Sequence, residues 1–400
     1  MMKLPSRATK FTSAAGYVSI LTLPVIAAVL LLLLGSATQQ HRIQRQWYLQ
    51  SAADTMVLSA ATIMAREFNL LAIVNRALIA NQVTHGQLLG LSSWYSHLAT
   101  AALRLATVSS VIPYVNVITR YLATMMQRLE QPLQMMIQAA LSMQQVVETV
   151  LQTSQWLIRS SFAMLIPQTL AEIARQQQLT HQPWVLLHSP GVVEFPWLWW
   201  RAVTPTSATN DEHLFADMVT ASQDPFSQNR SYRWFDAGLV KVEKTGGSDL
   251  QVEQYGRWSW QALDTVAVHI NLLFTRQEIP WGYGAAYQTN AITRLTHDGF
   301  GRSRAINRRT SSMALSRQKN YGVIQAPHYF NQTALAPSQW PSVILQFDGV
   351  VAKAGLQFSR PEPIPRKDGR QERANLFNPL WEPELQPLQA SEKLILERFI

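Results

Sequence analysis

An apolar stretch near the amino terminus constrains this chain more than any other feature. Residues 16–35 carry no charge, and the uncharged run extends over residues 11–41. As an α-helix, about 18 apolar residues span roughly 27 Å, close to the thickness of the hydrocarbon core of a bilayer. The stretch is long for a signal peptide, whose core usually holds about 7–15 apolar residues. We therefore predict a membrane helix over residues 16–36.

Tyr17, Pro24 and Leu34 lie inside this predicted membrane helix. Proline is tolerated there because neighbouring groups can satisfy the carbonyl that it leaves free. Residues 1–15 form a short basic leader, which favours a cytoplasmic amino terminus with the rest of the chain outside. Two alternatives stay open: a signal sequence cleaved near Ser36-Ala37, and a buried helix of a soluble protein.

The rest of the chain is typical of a globular protein rather than a polytopic membrane protein. Its 400 residues allow two or three domains, and no second stretch reaches the length of a membrane helix. The chain contains no cysteine, which excludes disulfides, thiol nucleophiles and thiolate metal sites. A formal charge of +9 is compatible with an anionic membrane, an acidic partner or nucleic acid.

Residues 37–180 are predicted to form a helical stalk and bundle. No proline or glycine occurs in residues 38–84, and helix-forming residues predominate there. We expect Gly86 and Gly90 to loosen or end this helix, and three prolines to mark later helix boundaries. These prolines are Pro113, Pro132 and Pro167.

Residues 133–164 have the most regular helical pattern in the chain. Seven of them alternate spacings of four and three, the 3.5-residue repeat of coiled-coil packing. This seam consists of Met136, Ala140, Met143, Val147, Val150, Ser154 and Leu157. Two interpretations stay open: the core of an intramolecular bundle, or a contact with a helix of another molecule.

Polar residues form two lines along the first long helix. Asn75 and Gln82 are seven residues apart on one line. The second line, which spans about 80° on a helical wheel, contains Arg66, Asn69 and Arg76. Together with Asn81, these residues are candidates for a buried hydrogen-bond network that fixes one packing of the bundle.

Residues 181–360 are predicted to form a β-rich domain, so we expect an α+β fold. Strands are predicted at residues 185–187, 233–235, 239–243, 250–254, 265–274, 343–347 and 354–358. The sequence Lys244-Thr-Gly-Gly-Ser-Asp249 is expected to be the turn of a hairpin over residues 239–254. Residues 361–400 are predicted to be a proline-containing tail that docks on the body.

A polar and basic segment, residues 302–319, is predicted to be a loop. Its cations are Arg302, Arg304, Arg308, Arg309, Arg317 and Lys319. Such clusters bind phosphates because neutralisation releases counterions, but this segment lacks the interleaved aromatic residues of a nucleic-acid stacking platform. We expect a solvated patch, with an acidic partner or a lipid headgroup as alternatives; nucleic acid is the least favoured partner.

The sequence contains no G-x-S-x-G elbow, Walker A loop or H-E-x-x-H motif. Gly282-Tyr-Gly284 begins a dinucleotide fingerprint that Tyr287 interrupts, so we expect a turn there. Asp264 and His269 have no visible serine partner for a hydrolase.

The acidic cluster Asp211-Glu-His213 with Asp217 could ligate a metal, but such clusters more often mark a helix start favoured by the helix dipole. The aromatic segment 195–200 is expected to be core, with an interfacial or docking role as the alternative. We therefore predict no enzymatic activity, no cofactor and no metal.

Short segments in both halves of the chain carry a family resemblance. They are Leu49-Gln-Ser-Ala-Ala-Asp54, Ala65-Arg-Glu-Phe-Asn69, Asn75-Arg-Ala77, Ala80-Asn-Gln-Val83, Leu91-Ser-Ser-Trp94, Trp260-Gln-Ala-Leu-Asp264, Gly282-Tyr-Gly-Ala-Ala286, Phe358-Ser-Arg-Pro361 and Ala374-Asn-Leu-Phe-Asn-Pro-Leu-Trp381. With the apolar span, they resemble the TadE/TadG-like proteins of the Flp pilus (tight adherence) machinery over most of the chain.

The resemblance implies a single-pass protein of the bacterial inner membrane with a periplasmic body. It implies a non-enzymatic structural role in a Flp or type IV-like pilus, as a scaffold or minor pilin-like subunit that binds other pilus proteins or copies of itself. Processed pilin leaders carry Glu five residues after the cleaved Gly, whereas Leu21 follows Gly16 at that distance, which favours a retained anchor. The alternatives are a surface adhesin or DNA-binding tip module, and a periplasmic enzyme released by signal cleavage.

Overall fold

The computed structural model describes residues 15–179, 184–189, 202–208, 210, 214–253, 257–272, 275–290, 301–332, 340–360 and 374–397. The fold is α+β, as predicted, with a long N-terminal helix followed by a β-rich region.

Helix α1 (Ala15–Val108) contains 94 residues, which corresponds to a length of about 140 Å. It includes Pro24 and continues without interruption from the apolar stretch into the body of the protein. Among the described helices, α1 alone has a stretch long and apolar enough to cross a membrane, and that stretch is not buried against the rest of the chain. The expectation that Gly86 and Gly90 end the helix is wrong.

A 3₁₀ turn (Ser109–Val111) reverses the chain, and α2 (Val115–Gln176) returns antiparallel along α1. The Tyr48 hydroxyl donates to the carbonyl oxygen of Gln177 at 3.1 Å, so α2 ends where α1 enters the body.

Pro113 lies in the turn, as predicted, but the helix boundaries expected at Pro132 and Pro167 are wrong. Both prolines lie inside α2. A proline in a helix interior costs about 3 kcal/mol, and we attribute its tolerance to the packing of α2 along α1, which holds the helix on both sides of each proline.

The described strands are β1 (Trp184–Ser189), β2 (Val203–Ser207), β3 (Arg230–Asp236), β4 (Val240–Glu253), β5 (Arg257–Leu272), β6 (Thr275–Thr289), β7 (Lys319–Asn320), β8 (His328–Gln332), β9 (Ser342–Phe347), β10 (Val350–Phe358) and β11 (Trp381–Leu385). Sheet A has the order β1-β9-β10-β11, sheet B pairs β2 with β8, and sheet C has the order β3-β4-β5-β6-β7. The shorter helices are α3 (Leu214–Ala221), α4 (Gly301–Ile306), α5 (Arg308–Ser316) and α6 (Ala390–Leu396).

Both sheets A and C contribute to cores built on α1. The part of α1 that follows the apolar stretch, from Leu49 to Leu71, packs against sheet A residues such as Leu345 and Leu356. The next part of the helix, from Leu78 onward, packs against the indoles of β5. Because one helix enters both cores, its position fixes the two sheets relative to each other.

Two glycine-containing segments are strands rather than turns. β4 runs straight through residues 244–249, with Gly246 opposite Asp264 of β5, so the hairpin turn expected there is wrong. Gly282-Tyr-Gly284 lies inside β6 and is not a turn. A Cβ at Gly284 would lie 2.1 Å from the carbonyl oxygen of Ser93 on α1. Here glycine allows a helix and a sheet to approach closely, whereas the sequence pattern predicted a chain reversal.

The segment 302–319 forms α4, α5 and the start of β7, so the predicted loop is wrong. Glu278 of β6 accepts hydrogen bonds from the backbone N–H groups of Arg309 at 2.9 Å and Thr310 at 2.8 Å. A carboxylate at a helix N-terminus satisfies free donors and suits the helix dipole, which explains why α5 begins there.

The C-terminal segment adds the edge strand β11 and helix α6 to the body. Lys353 of β10 and Glu392 of α6 form a buried ion pair at 2.8 Å, with side chains 4% and 7% exposed. This pair joins α6 to sheet A.

One edge of the predicted coiled-coil seam of α2 faces away from the body, whereas Ala140, Val147 and Ser154 are half-buried. Met136, Met143, Val150 and Leu157 are 58–67% exposed. The residues that α2 buries lie roughly 100–140° around the helix from Met136 and include Ile137, Leu141, Glu148, Gln155 and Arg159. Interpretation of the seam as an intramolecular core is therefore wrong, and a contact with another molecule stays open.

A substitution at Gly86 can test the close approach of α1 to sheet C. A Cβ there would lie 2.6 Å from the fully buried ring of Trp260. Alanine is otherwise about 1 kcal/mol more favourable than glycine in a helix. We expect Gly86→Ala to lower the melting temperature, measured by circular dichroism in detergent, because the ring has no room to move. The control Gly35→Ala, where no described atom lies within 4 Å of the added Cβ, should leave it unchanged or raise it. If Gly86→Ala melted at the same temperature as the parent, this packing would be contradicted.

Candidate functional site

The most developed polar site in the described residues lies along α1, where it meets α2 on one side and the C-terminal half of the chain on the other. Asn75 is fully buried and makes three hydrogen bonds. Its amide donates to the carbonyl oxygens of Phe330 at 2.8 Å and Leu376 at 2.7 Å, and its oxygen accepts from Gln155 at 2.6 Å. One side chain thus connects α2, β8 and the C-terminal segment.

Gln82, seven residues further along α1, has an equivalent role at sheet C. Its amide donates to Glu148 of α2 at 2.8 Å. Its oxygen accepts from the indole N–H groups of Trp258 at 3.3 Å and Trp260 at 3.2 Å. All three partners are buried, so the amide fixes the relative position of α1, α2 and β5.

The second predicted line binds the segment before β11. The side-chain amide of Asn69 donates to the carbonyl oxygen of Trp381 at 2.9 Å. The side-chain oxygen of Asn69 accepts from the backbone N–H of Trp381 at 3.0 Å. Arg76 donates to the carbonyl oxygen of Phe377 and, at 2.8 Å, to the side chain of Asn378. Asn81 donates to the carbonyl oxygen of Gln144 on α2 at 3.2 Å.

Arg76 is exposed although it takes part in these contacts. Arg66 is exposed as well and is an exception to the predicted network. It lies nine residues from Asn75, which places it on the opposite side of α1. The neighbouring Glu67, which the sequence reasoning missed, is fully buried and pairs with buried Arg159 of α2. Burial lowers the pKa of Arg159 against the opposing effect of Glu67. Separation of such a pair strands a buried charge, which costs about 3–5 kcal/mol.

Sheet C contributes a second buried cluster around Asp264. Ser93 of α1 donates to this carboxylate at 2.7 Å, and Lys244 lies 2.9 Å from it. Burial, together with the nearby cations Lys244 and Arg230, lowers the pKa of His97 to about 3, so this imidazole is neutral at physiological pH. The cluster thus joins α1 to sheet C through the carboxylate of Asp264, whose charge is balanced by Lys244.

These groups do not form the chain of hydrogen bonds that a serine hydrolase needs. Ser93 donates directly to Asp264, whereas a triad places histidine between the serine and the acid. His269 instead contacts Asn307 at 2.9 Å. It lies five residues from Asp264 on β5 and therefore projects from the other face of the sheet.

The predicted basic patch is partly engaged in contacts within the protein. Lys319 pairs with Glu130 of α2 at 2.6 Å, and Arg317 donates to the hydroxyl of Tyr283 at 2.9 Å. Arg308 and Arg309 are exposed and Arg304 is half-buried. The side chain of Arg302 lies outside the described residues.

Several other sequence predictions cannot be located. The acidic cluster 211–213 and the aromatic segment 195–200 lie outside the described residues, as does the side chain of Tyr17. Among the described residues, no group of three or more His, Cys, Asp or Glu side chains could hold a metal ion. The expected absence of a metal stays a prediction.

Comparisons with protein-family models, with curated proteins and with solved structures find no match to this chain. The resemblance to TadE/TadG-like proteins therefore stays a prediction. The geometry adds that segments carrying it meet in space, since Asn75 and Arg76 contact residues 376–378, and Gln82 contacts Trp260.

Glu148 gives this site a measurable pH dependence. Burial raises its pKa from 4.5 to about 7, against the effect of hydrogen bonds from Gln82 and Gln152. Between these two values the folded protein binds more protons than the unfolded chain. The contribution of Glu148 to stability therefore falls as pH rises from about 4.5 to 7 and is constant above that.

We expect Glu148→Gln, which cannot titrate, to gain stability relative to the parent between pH 5 and pH 7.5, by up to roughly 3 kcal/mol. Urea unfolding in detergent at both pH values measures this change. The control is Glu172→Gln, at an exposed position on the same helix. Its free energy of unfolding should differ from that of the parent by the same amount at both pH values. A pH-independent effect of Glu148→Gln would show that this carboxyl titrates normally.

Proposed function

We propose that the protein is a non-enzymatic structural component of a Flp or type IV-like pilus apparatus. The N-terminal part of α1 holds it in the bacterial inner membrane, and its body lies in the periplasm. One observation carries this proposal: the helix that is apolar enough to span a membrane is also the helix around which the body is built. The sequence resemblance supports the assignment to a pilus.

No flexible joint separates the apolar stretch from the body. Leu34 is exposed and Leu49 is buried, and the intervening residues are all helical. Arg45 in this interval forms an ion pair with Asp348 of the turn between β9 and β10, at 3.0 Å. A body joined to its anchor in this way keeps a fixed direction relative to the bilayer, which suits a scaffold or a subunit of an ordered assembly.

The exposed seam of α2 supports assembly with a further helix. From residue 131 to residue 158 the only charged residue is Glu148, and it is buried. The outer side of this helix therefore offers apolar residues at coiled-coil spacing without charges that would repel an identical surface. A second copy is the partner that fits, because two anchored copies are parallel and present the same residues to each other.

Membrane retention is the first test of the proposal. We expect the chain to stay in the membrane pellet after alkaline carbonate washing, with an intact mass that includes residues 16–36. Val25→Arg with Ile26→Arg should release a large fraction, because each arginine at a bilayer centre costs about 2.5–3.5 kcal/mol. The control Leu239→Arg, at an exposed site on the body, should be retained. A soluble chain that begins near Thr38 would overturn the proposal.

The absence of cysteine allows a direct test of the seam. We expect Met143→Cys to form a disulfide-linked dimer on mild oxidation of native membranes, because parallel copies place residue 143 opposite itself. Thr149→Cys, which is exposed but lies about 120° away around α2, is the control and should remain monomeric. Equal cross-linking of both variants would exclude the seam as the contact.

A further inference from the structure

The tip of the α1–α2 hairpin extends beyond the sheets and has an unusual surface. From Leu103 to Tyr121 nearly every residue is exposed. Five large apolar or aromatic residues there are strongly exposed: Val111 at 83%, Tyr114 at 86%, Val117 at 70%, Ile118 at 69% and Tyr121 at 66%. In a hairpin that functions in water, such residues face the partner helix.

The interior of the tip is polar instead. Ser109 and Thr119 are the buried residues between its two helices, and their hydroxyls lie 2.6 Å apart. Small and hydroxyl-bearing residues between helices, with apolar residues outside, are typical of helices that contact lipid. The arrangement at the tip is therefore inverted relative to a water-soluble hairpin.

The charges of the tip are all positive. No acidic residue occurs between Glu67 and Glu130, whereas Arg104, Arg120 and Arg128 lie in or beside the tip. Arg104 precedes Val111 by seven residues, or about 10 Å along the helix. An apolar cap of that depth, bordered by arginines, matches the depth at which amphipathic segments enter the headgroup region.

Tyr114 adds a conformational feature. Its φ of 65° is rare for a bulky residue and holds the ring at the apex of the turn. Tyrosine combines an apolar ring with a polar hydroxyl, which favours the membrane–water interface.

We propose that this tip binds the surface of a second, anionic phospholipid bilayer. The inference rests on the proposed anchoring for its geometry, because α1 places Val111 about 110 Å along the helix from the end of the apolar stretch at Ser36. The tip therefore lies far from the bilayer that α1 spans, and it faces away from it. The protein then bridges two membranes, with the cationic tip complementary to acidic headgroups.

The test uses the full chain inserted in lipid nanodiscs and floated with separate vesicles. Vesicles of phosphatidylglycerol and phosphatidylcholine should carry the nanodiscs upward, and vesicles of phosphatidylcholine alone should carry far fewer. Val111→Ser with Val117→Ser and Ile118→Ser should abolish flotation. Arg104→Gln with Arg120→Gln should weaken vesicle binding roughly 30-fold, since each cation contributes about 1 kcal/mol.

The matched control replaces three aliphatic residues elsewhere that are 64–65% exposed, against 69–83% for the three tip residues: Leu239→Ser, Val323→Ser and Leu394→Ser. It should float like the parent. Circular dichroism should show that both sets keep the parental melting temperature, since all six positions are exposed.

Three results would overturn the proposal: a parent that ignores anionic vesicles, tip variants that float like the parent, or control variants that fail equally. Dimers of nanodiscs that disappear in the tip variants, without vesicle binding, would show that the tip binds a second copy instead. A chain that leaves the nanodisc would count against the anchoring alone. Its tip would still be tested by floating the released protein with the same vesicles.

Discussion

The buried polar side chains of α1 are the constraint on which the rest of the structure depends. Residues 374–380 have no strand partner in the described structure, so their backbone groups need other hydrogen-bond partners. Asn75 and Arg76 supply two of them, to the carbonyl oxygens of Leu376 and Phe377, from the middle of a helix. An unpaired buried carbonyl or amide costs about 1–3 kcal/mol, so the segment is stable in this position only when α1 presents these side chains in register. The same register brings Gln82 to the two indoles of β5.

Helical periodicity was sufficient to predict part of this arrangement. The seven-residue spacing of Asn75 and Gln82 places both on one side of α1, and the structure buries both there. Periodicity does not show which line faces the protein interior, so the predicted network includes the exposed Arg66 and omits the buried Glu67. The predictions made from glycine were wrong for a different reason. Gly86, Gly246 and Gly284 have the local signature of a break or turn, but each makes space for a group far away in sequence. A sequence pattern contains the residue but not the neighbour that approaches it.

Helix α2 buries polar residues and exposes apolar ones, and the same inversion occurs at the hairpin tip. Its buried side includes Glu148, Gln155 and Arg159, and its exposed side includes Met143 and Val150. The hairpin tip repeats this inversion with Ser109 inside and Val111 outside. Burial of polar groups needs specific partners, and α1 supplies them, so the interior of the hairpin is specified by hydrogen bonds. Its apolar surface is left exposed, and this exposure is the basis for the proposed contacts with a helix along the seam and with lipid at the tip.

Because α1 is one uninterrupted helix, the number of residues between two points on it sets their distance and relative direction. One residue added to a helix moves everything beyond it by 1.5 Å and rotates it by about 100°. Within α1, the apolar stretch, the two sheet-binding faces and the tip are therefore fixed in both height and direction by residue number alone. A flexible linker after the apolar stretch would remove this relation, since the body could then turn freely. The lack of proline and glycine in residues 38–84 is thus understandable as a requirement for a fixed orientation of the body, and not only for helix stability.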